Sequence, residues 1–162
     1  MREERTVILL RKISSCESET ELLQLAAKLW AEGYWLIAVK CYRRAAMLGS
    51  ADAQNLLGEC YEIGMGVAKN EEEAVQWYTK AAVQRHGKAM CSLADYYYDG
   101  IVVEQDIALA KALLLLSSDR TWAAKKLHNW FGLQTDQNQT AVYRDGWNEA
   151  EERFCRFIKE HS

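Results

Sequence analysis

The chain of 162 residues contains no proline and no long hydrophobic run. Proline in a helix interior costs about 3 kcal/mol, so its absence favours a chain built from helices and short turns. A membrane-spanning helix needs roughly 20 consecutive apolar residues, whereas the longest leucine run covers only residues 113–116. Near the N-terminus the apolar part covers only residues 7–10, too short for a secretory signal. We therefore predict a cytoplasmic protein without a membrane segment.

Motifs for metal binding, redox chemistry and catalysis are also missing. The five cysteines are odd in number and widely spaced, and the three histidines have no metal-ligand spacing. We predict no metal and no cofactor, and we interpret the cysteines as buried, inert thiols. No nucleophile elbow, phosphate loop or dinucleotide fingerprint is present, which indicates a protein that is not an enzyme. The net charge of −3 argues against nucleic acid, whose binders carry clustered basic residues.

A pattern of small, aliphatic, aromatic and glycine residues occurs twice, at an offset of 36 residues. Self-similarity with a period of this size is typical of stacked helical hairpins. The positions Ala53, Leu57, Tyr61 and Gly64 correspond to Ala89, Leu93, Tyr97 and Gly100.

The run from residue 53 to residue 82 resembles a Sel-one-like repeat, a branch of the tetratricopeptide superfamily. Its mark is the lengthened Gly-x-Gly-Val loop between the helices, which here covers residues 64–67. The resemblance is good over residues 51–120 and looser on either side. It implies an all-α, right-handed solenoid of about three to four stacked antiparallel helical hairpins. It also implies a protein-binding scaffold, often bacterial. The disulfide spacing of some secreted relatives is absent.

We predict one repeat domain over the whole chain, with atypical units at both ends because a solenoid must close its stack. For residues 3–13 we favour a short helix that packs on the first repeat, and the β-branched residues Val7 and Ile8 leave an extended segment as the alternative. In the final helix, Tyr143, Phe154 and Phe157 share one seam, after a polar stretch over residues 134–140. The predicted parts are an N-terminal capping segment (1–17), a short first repeat (18–50), two repeats (51–86 and 87–120), a partial repeat (121–133) and a C-terminal capping helix (140–162).

Local signals predict where the hairpin helices begin and end. Asn70 and Glu73 have the spacing of a capping box, and Gly64 suits a left-handed helix C-cap. Arg85 stands where the preceding repeat has Gly49. A residue with a side chain costs on the order of 1 kcal/mol in the left-handed conformation. We therefore expect the loop at Arg85 to adopt another conformation.

The first helix of each hairpin is expected to line the concave face of the stack. On this face Trp122 has no packing counterpart in earlier repeats, and at least one of Tyr96 and Tyr98 should face outwards. Such aromatic residues resemble binding hot spots. The carboxylates of Glu59 and Asp95 favour a basic or neutral segment of another protein. The predicted concave-face, partner-binding residues are Asn55, Glu59, Asp95, Tyr98, Trp122, Lys125 and Asn129.

The leading prediction of function is a non-enzymatic, monomeric protein–protein interaction module that binds a partner protein or peptide through this concave face. One alternative is a small inhibitor or immunity protein that neutralises a co-encoded toxin or enzyme, since acidic balance and exposed aromatics suit both roles. A second alternative is a hydrolase or ligand-binding activity in the groove. No membrane partner is predicted. No nucleic acid is predicted either, because RNA reading would need a basic stripe that the composition does not indicate.

Overall fold

The computed structural model describes residues 2–133 and 140–161, and at residues 2–5 and 140–145 it describes the backbone alone. Within these residues the chain forms nine helices and no strand, which confirms the predicted all-α class. Residues 134–139 of the predicted break over 134–140 lie outside the described residues, as does the side chain of Tyr143. The helices are α1 (Arg2–Ser15), α2 (Glu19–Ala31), α3 (Trp35–Met47), α4 (Ala51–Ile63), α5 (Glu71–Val83), α6 (Gly87–Asp99), α7 (Ile107–Leu116), α8 (Arg120–Phe131) and α9 (Thr140–His161).

Two compact units divide the chain, Met1–Trp77 (unit 1) and Tyr78–Ser162 (unit 2), and the boundary falls within α5. In unit 1, α3 packs against α1, α2 and α4. Small and aliphatic residues at helical spacing form its core, because one face of each helix must leave water. The predicted N-terminal helix is confirmed, and Ile13 of α1 is buried. Among the most buried residues of this core are Leu22, Ala26, Ala38, Cys41, Ala45, Ala53 and Leu57.

Unit 2 is arranged around α7, which packs against α6, α8 and α9. The sequence of α7 is apolar on nearly all sides, and seven of its ten residues are buried. A helix of this kind requires cover from several neighbours. The C-terminal helix α9 supplies part of that cover and buries Phe154 and Phe157 in unit 2. Among the described residues, each helix is either too short or too polar to span a bilayer.

The extended loops of the two matching repeats are closed by the same backbone hydrogen bond. The amide of Asn70 donates to the carbonyl of Tyr61, and the amide of Asp106 donates to that of Tyr97, both at 2.9 Å. The Asn70 side chain caps α5 as predicted, accepting from the amide of Glu73 at 2.9 Å. Only half of the predicted capping box forms, because the Asn70 amide is already bound to Tyr61.

The expectation for Arg85 is wrong, because this residue keeps the left-handed conformation with φ of 61°. Its guanidinium donates to both carboxylate oxygens of Glu151, at 3.2 and 2.9 Å. It also lies 5.0 Å from the ring centroid of Phe154. These contacts with α9 offset the backbone strain, which is on the order of 1 kcal/mol. The ion pair also lowers the pKa of the Glu151 carboxyl.

Candidate functional site

In unit 1, the predicted residues Asn55 and Glu59 lie one turn apart on α4. The Asn55 side-chain amide donates to Glu59 Oε1 at 2.8 Å. Asn55 was predicted to be a surface residue, but only 3% of it is exposed. Within the described part of the chain, its Oδ1 atom has no hydrogen-bond donor. The partly exposed group of this pair is therefore the Glu59 carboxylate, and the unsatisfied Oδ1 acceptor of Asn55 is buried next to it.

In unit 2, the predicted acid Asp95 is paired with Lys126, whose Nζ donates to Asp95 Oδ2. The same Nζ donates to the carbonyl of Cys91 at 3.0 Å. Lys126 was not predicted to be part of the site, and its side chain is only 15% exposed. The sequence-based view of Asp95 as an uncompensated negative charge is therefore wrong, because Lys126 neutralises it.

Tyr96 and Tyr98 of α6 are buried to different degrees. Tyr96 is buried, and its ring lies 6.3 Å from that of Tyr78. Tyr98 is partly buried and stacks on Trp130 with 4.0 Å between the ring centroids. One face of the Tyr98 ring is therefore already covered. Of the predicted aromatic contact residues, Trp122 is therefore the one that stays exposed to solvent.

One side of α8 carries two tryptophans with two lysines between them in the sequence. Trp122 is 56% exposed, and Lys125 Nζ lies 5.8 Å from the centroid of its ring. One turn further on, Lys126 Nζ lies 5.5 Å from the centroid of Trp130. Residues three, four, seven and eight positions apart share one helix face. We name this face the α8 stripe; it consists of Trp122, Lys125, Lys126, Asn129 and Trp130.

Sequence reasoning identified three members of the α8 stripe and missed two. Trp122, Lys125 and Asn129 were predicted and are exposed. Lys126 and Trp130 were not among the predicted residues, because the contacts that define them are with residues distant in the sequence. Their partners, Asp95 and Tyr98, come from α6. The signal that could have indicated this contact is the position of Lys126 directly after the predicted Lys125, since a second lysine there can reach an acid such as Asp95 on α6.

The profile of the Sel1 repeat matches residues 36–50, 51–86 and 87–121, together more than half of the chain. The chain belongs to the Sel1 repeat family. A solved Sel1 repeat protein from Oxalobacter formigenes is similar to it, with a TM-score of 0.65 and 29% sequence identity. The match covers 78% of this chain and 98% of that one. The fold class is thus the all-α helical-repeat solenoid of the Sel1 type.

Two curated relatives match part of this chain but are much longer, and the match covers only a small share of their length. Chitin synthase regulatory factor 3 of Schizosaccharomyces pombe is 42% identical over 60 residues, which cover 36% of this chain and 6% of that protein. Protein sel-1 homolog 2 of Rattus norvegicus is 36% identical over 86 residues, which cover 52% of this chain and 12% of the relative. Sel1 repeat proteins generally form protein-interaction modules.

The cysteines of this Sel1 repeat protein fit a structural role at three positions. Burial raises the pKa of the Cys41 and Cys60 thiols to about 11. Burial also raises the pKa of Cys91, whose Sγ lies 3.3 Å from Ser117 Oγ. The prediction of buried thiols is confirmed for these three, whereas Cys155 is exposed. Within residues 2–133 and 140–161, no three potential ligand residues are grouped to hold a metal ion.

Proposed function

We propose that this Sel1 repeat protein is a non-enzymatic interaction module that binds a partner polypeptide. The candidate surface of unit 1 is the exposed side of α4, and that of unit 2 is formed by the exposed sides of α6 and α8. The family and the regulatory role in the name of one relative support this proposal. The cytoplasmic location, the monomeric state, the single-domain organisation and the concave position of the site stay predictions. The proposed contact residues are Glu59 in unit 1, and Asp95, Tyr98, Trp122, Lys125 and Asn129 in unit 2.

The observation that carries the proposal is the exposure of Trp122. Its neighbours Ala123 and Leu127 are buried, so α8 is firmly packed on its inner side. Leaving apolar surface in water costs about 25 cal/mol per Å². An indole is also the side chain most enriched among residues that dominate binding energy. Lys125 over its ring restricts the orientation of the indole, which lowers the entropy that binding must remove.

In unit 1, α4 favours a partner segment that is basic or neutral. Between its first and last residue α4 carries Asp52, Glu59 and Glu62 and no basic residue. An unsatisfied buried acceptor costs about 1–3 kcal/mol, and the Oδ1 atom of Asn55 is one. The Glu59 carboxylate accepts from the other polar atom of the Asn55 side chain, its amide nitrogen, and keeps a negative charge on this helix. This supports the sequence-based hypothesis for Glu59, whereas the neutralised Asp95 no longer contributes to it.

We expect Trp122→Ala to reduce partner capture by at least about tenfold, because truncating a hot-spot residue costs about 2 kcal/mol or more. The measurement is affinity capture with tagged protein from the cell of origin, quantified by mass spectrometry. Ile101→Ala is the matched control, since Ile101 is 75% exposed but lies outside the proposed surface. Equal recovery of the same partner by wild type and both variants would contradict the proposal. Circular dichroism of both variants checks that the fold is kept.

A further inference from the structure

We propose that the α8 stripe binds an acidic segment of the partner that also presents an apolar side chain. This inference rests on the proposed function and assigns the chemistry of the segment that contacts unit 2. That segment is opposite in charge to the one favoured by α4. A carboxylate of the partner would bind Lys125 Nζ, and the neighbouring apolar side chain would pack on the exposed ring of Trp122.

The side chains of α8 and of its neighbour α7 are cationic rather than acidic. Between residues 120 and 131 the helix has three cationic side chains and no acidic one. The packed neighbour α7 adds Lys111, 5.8 Å from the ring centroid of Phe131, and no acidic residue between its ends. On α6, Asp95 is occupied by Lys126. Within the described residues the structure records a ring contact for Lys125 and no carboxylate partner. A cation left open in this way is complementary to an acidic segment.

The spacing within the α8 stripe limits the length of the segment. Trp122 and Trp130 are eight residues apart, which corresponds to about 12 Å along a helix. About four residues of extended chain cover that distance. Trp130 is already covered by Tyr98 and Lys126, so the accessible apolar contact lies at the Trp122 end. The segment should therefore place its apolar side chain next to a carboxylate, within about four residues.

A nucleic acid would also combine negative charge with rings that stack on tryptophan. The chain has a net charge of −3. Single-strand binders rely on a positively charged groove that follows the phosphate backbone. Of the two lysines in the α8 stripe, Lys126 is paired with Asp95, so the stripe does not form a continuous positive groove. Sel1 repeat proteins also bind other proteins. An acidic peptide is therefore the occupant that the observations favour.

The test uses the full chain and a fluorescent peptide of the sequence Gly-Glu-Asp-Phe-Asp-Glu-Leu-Gly. Matched peptides replace the four acids by lysine or by the corresponding amides, and a single-stranded thymidine oligonucleotide is the nucleic-acid probe. We expect the acidic peptide to bind at least about tenfold more tightly than the other three probes. Its affinity should fall as the salt concentration rises, because the ion pair is exposed.

Lys125→Glu and Trp122→Ala should each weaken binding of the acidic peptide by about tenfold or more. Lys159→Glu is the matched control, because Lys159 is an exposed lysine on α9, outside the α8 stripe, and the change in net charge is the same. Equal weakening by Lys125→Glu and Lys159→Glu would overturn the inference and leave only a net-charge effect.

Two further results would also overturn the inference. One is tighter binding of the oligonucleotide than of the acidic peptide. The other is no binding of the acidic peptide while partner capture still depends on Trp122; that result would leave the proposed function standing. If capture is independent of Trp122, the proposed function itself fails.

Discussion

Gly66→Ala is expected to destabilise the protein by about 2–4 kcal/mol, the sum of backbone strain and steric overlap. Gly66 has φ of +74°, which a residue with a side chain adopts at a cost of about 1 kcal/mol. A Cβ atom at this position would lie 2.7 Å from the carbonyl oxygen of Trp35 and 2.8 Å from Val39 Cγ2. The first contact is with backbone at the start of α3, so no side-chain rotation relieves it.

Gly33→Ala separates the two causes, since Gly33 has φ of +80° but an added Cβ atom would meet nothing within 4 Å. This control should lose only about 1 kcal/mol, the backbone contribution alone. Urea unfolding followed by far-ultraviolet circular dichroism gives both values on the same scale. Equal losses for the two variants would show that the close approach of the Gly66 loop to α3 is wrong.

Phe154→Ala is expected to cost about 3–5 kcal/mol, the usual range for removing a large buried aromatic side chain. Phe154 is completely buried, and its ring lies 5.9 Å from that of Phe157. The Arg85 guanidinium lies 5.0 Å from the centroid of the same Phe154 ring. The substitution therefore leaves a cavity where α9 meets the rest of unit 2, and it also removes the cation–π contact that helps to hold Arg85.

Cys155→Ala is the control for this position, because Cys155 is the next residue of α9 and is exposed. Its effect should stay within about 0.5 kcal/mol. Thermal unfolding by calorimetry of wild type and both variants provides the comparison. A loss below about 1 kcal/mol for Phe154→Ala would mean that α9 is not docked through this ring, since full burial of an aromatic side chain contributes more.

The helices could be predicted from the sequence because their signals are local. The glycine at 64 and the cap at Asn70 act within a few residues, and the structure confirms the left-handed Gly64 and the Asn70 cap. The family resemblance was confirmed for the same reason, since it depends on the spacing of small and aromatic residues within one hairpin.

The properties that could not be predicted depend on distant partners. Arg85 keeps a strained backbone because Glu151, 66 residues later, and Phe154 hold its side chain. Asp95 loses its uncompensated charge to Lys126, 31 residues later. A single sequence shows which residues can form an ion pair but not which pairs meet. The charge of the predicted surface could therefore not be worked out from the sequence, and the use of that surface for binding stays a prediction.

The most direct test of the central claim, that a partner binds along the α8 stripe, is site-specific photo-cross-linking in the cell of origin. A benzophenone amino acid at position 129, exposed on α8, should yield a cross-linked partner. The same group at position 148, exposed on α9, should yield none. A cross-link from position 148 with none from position 129 would contradict the account.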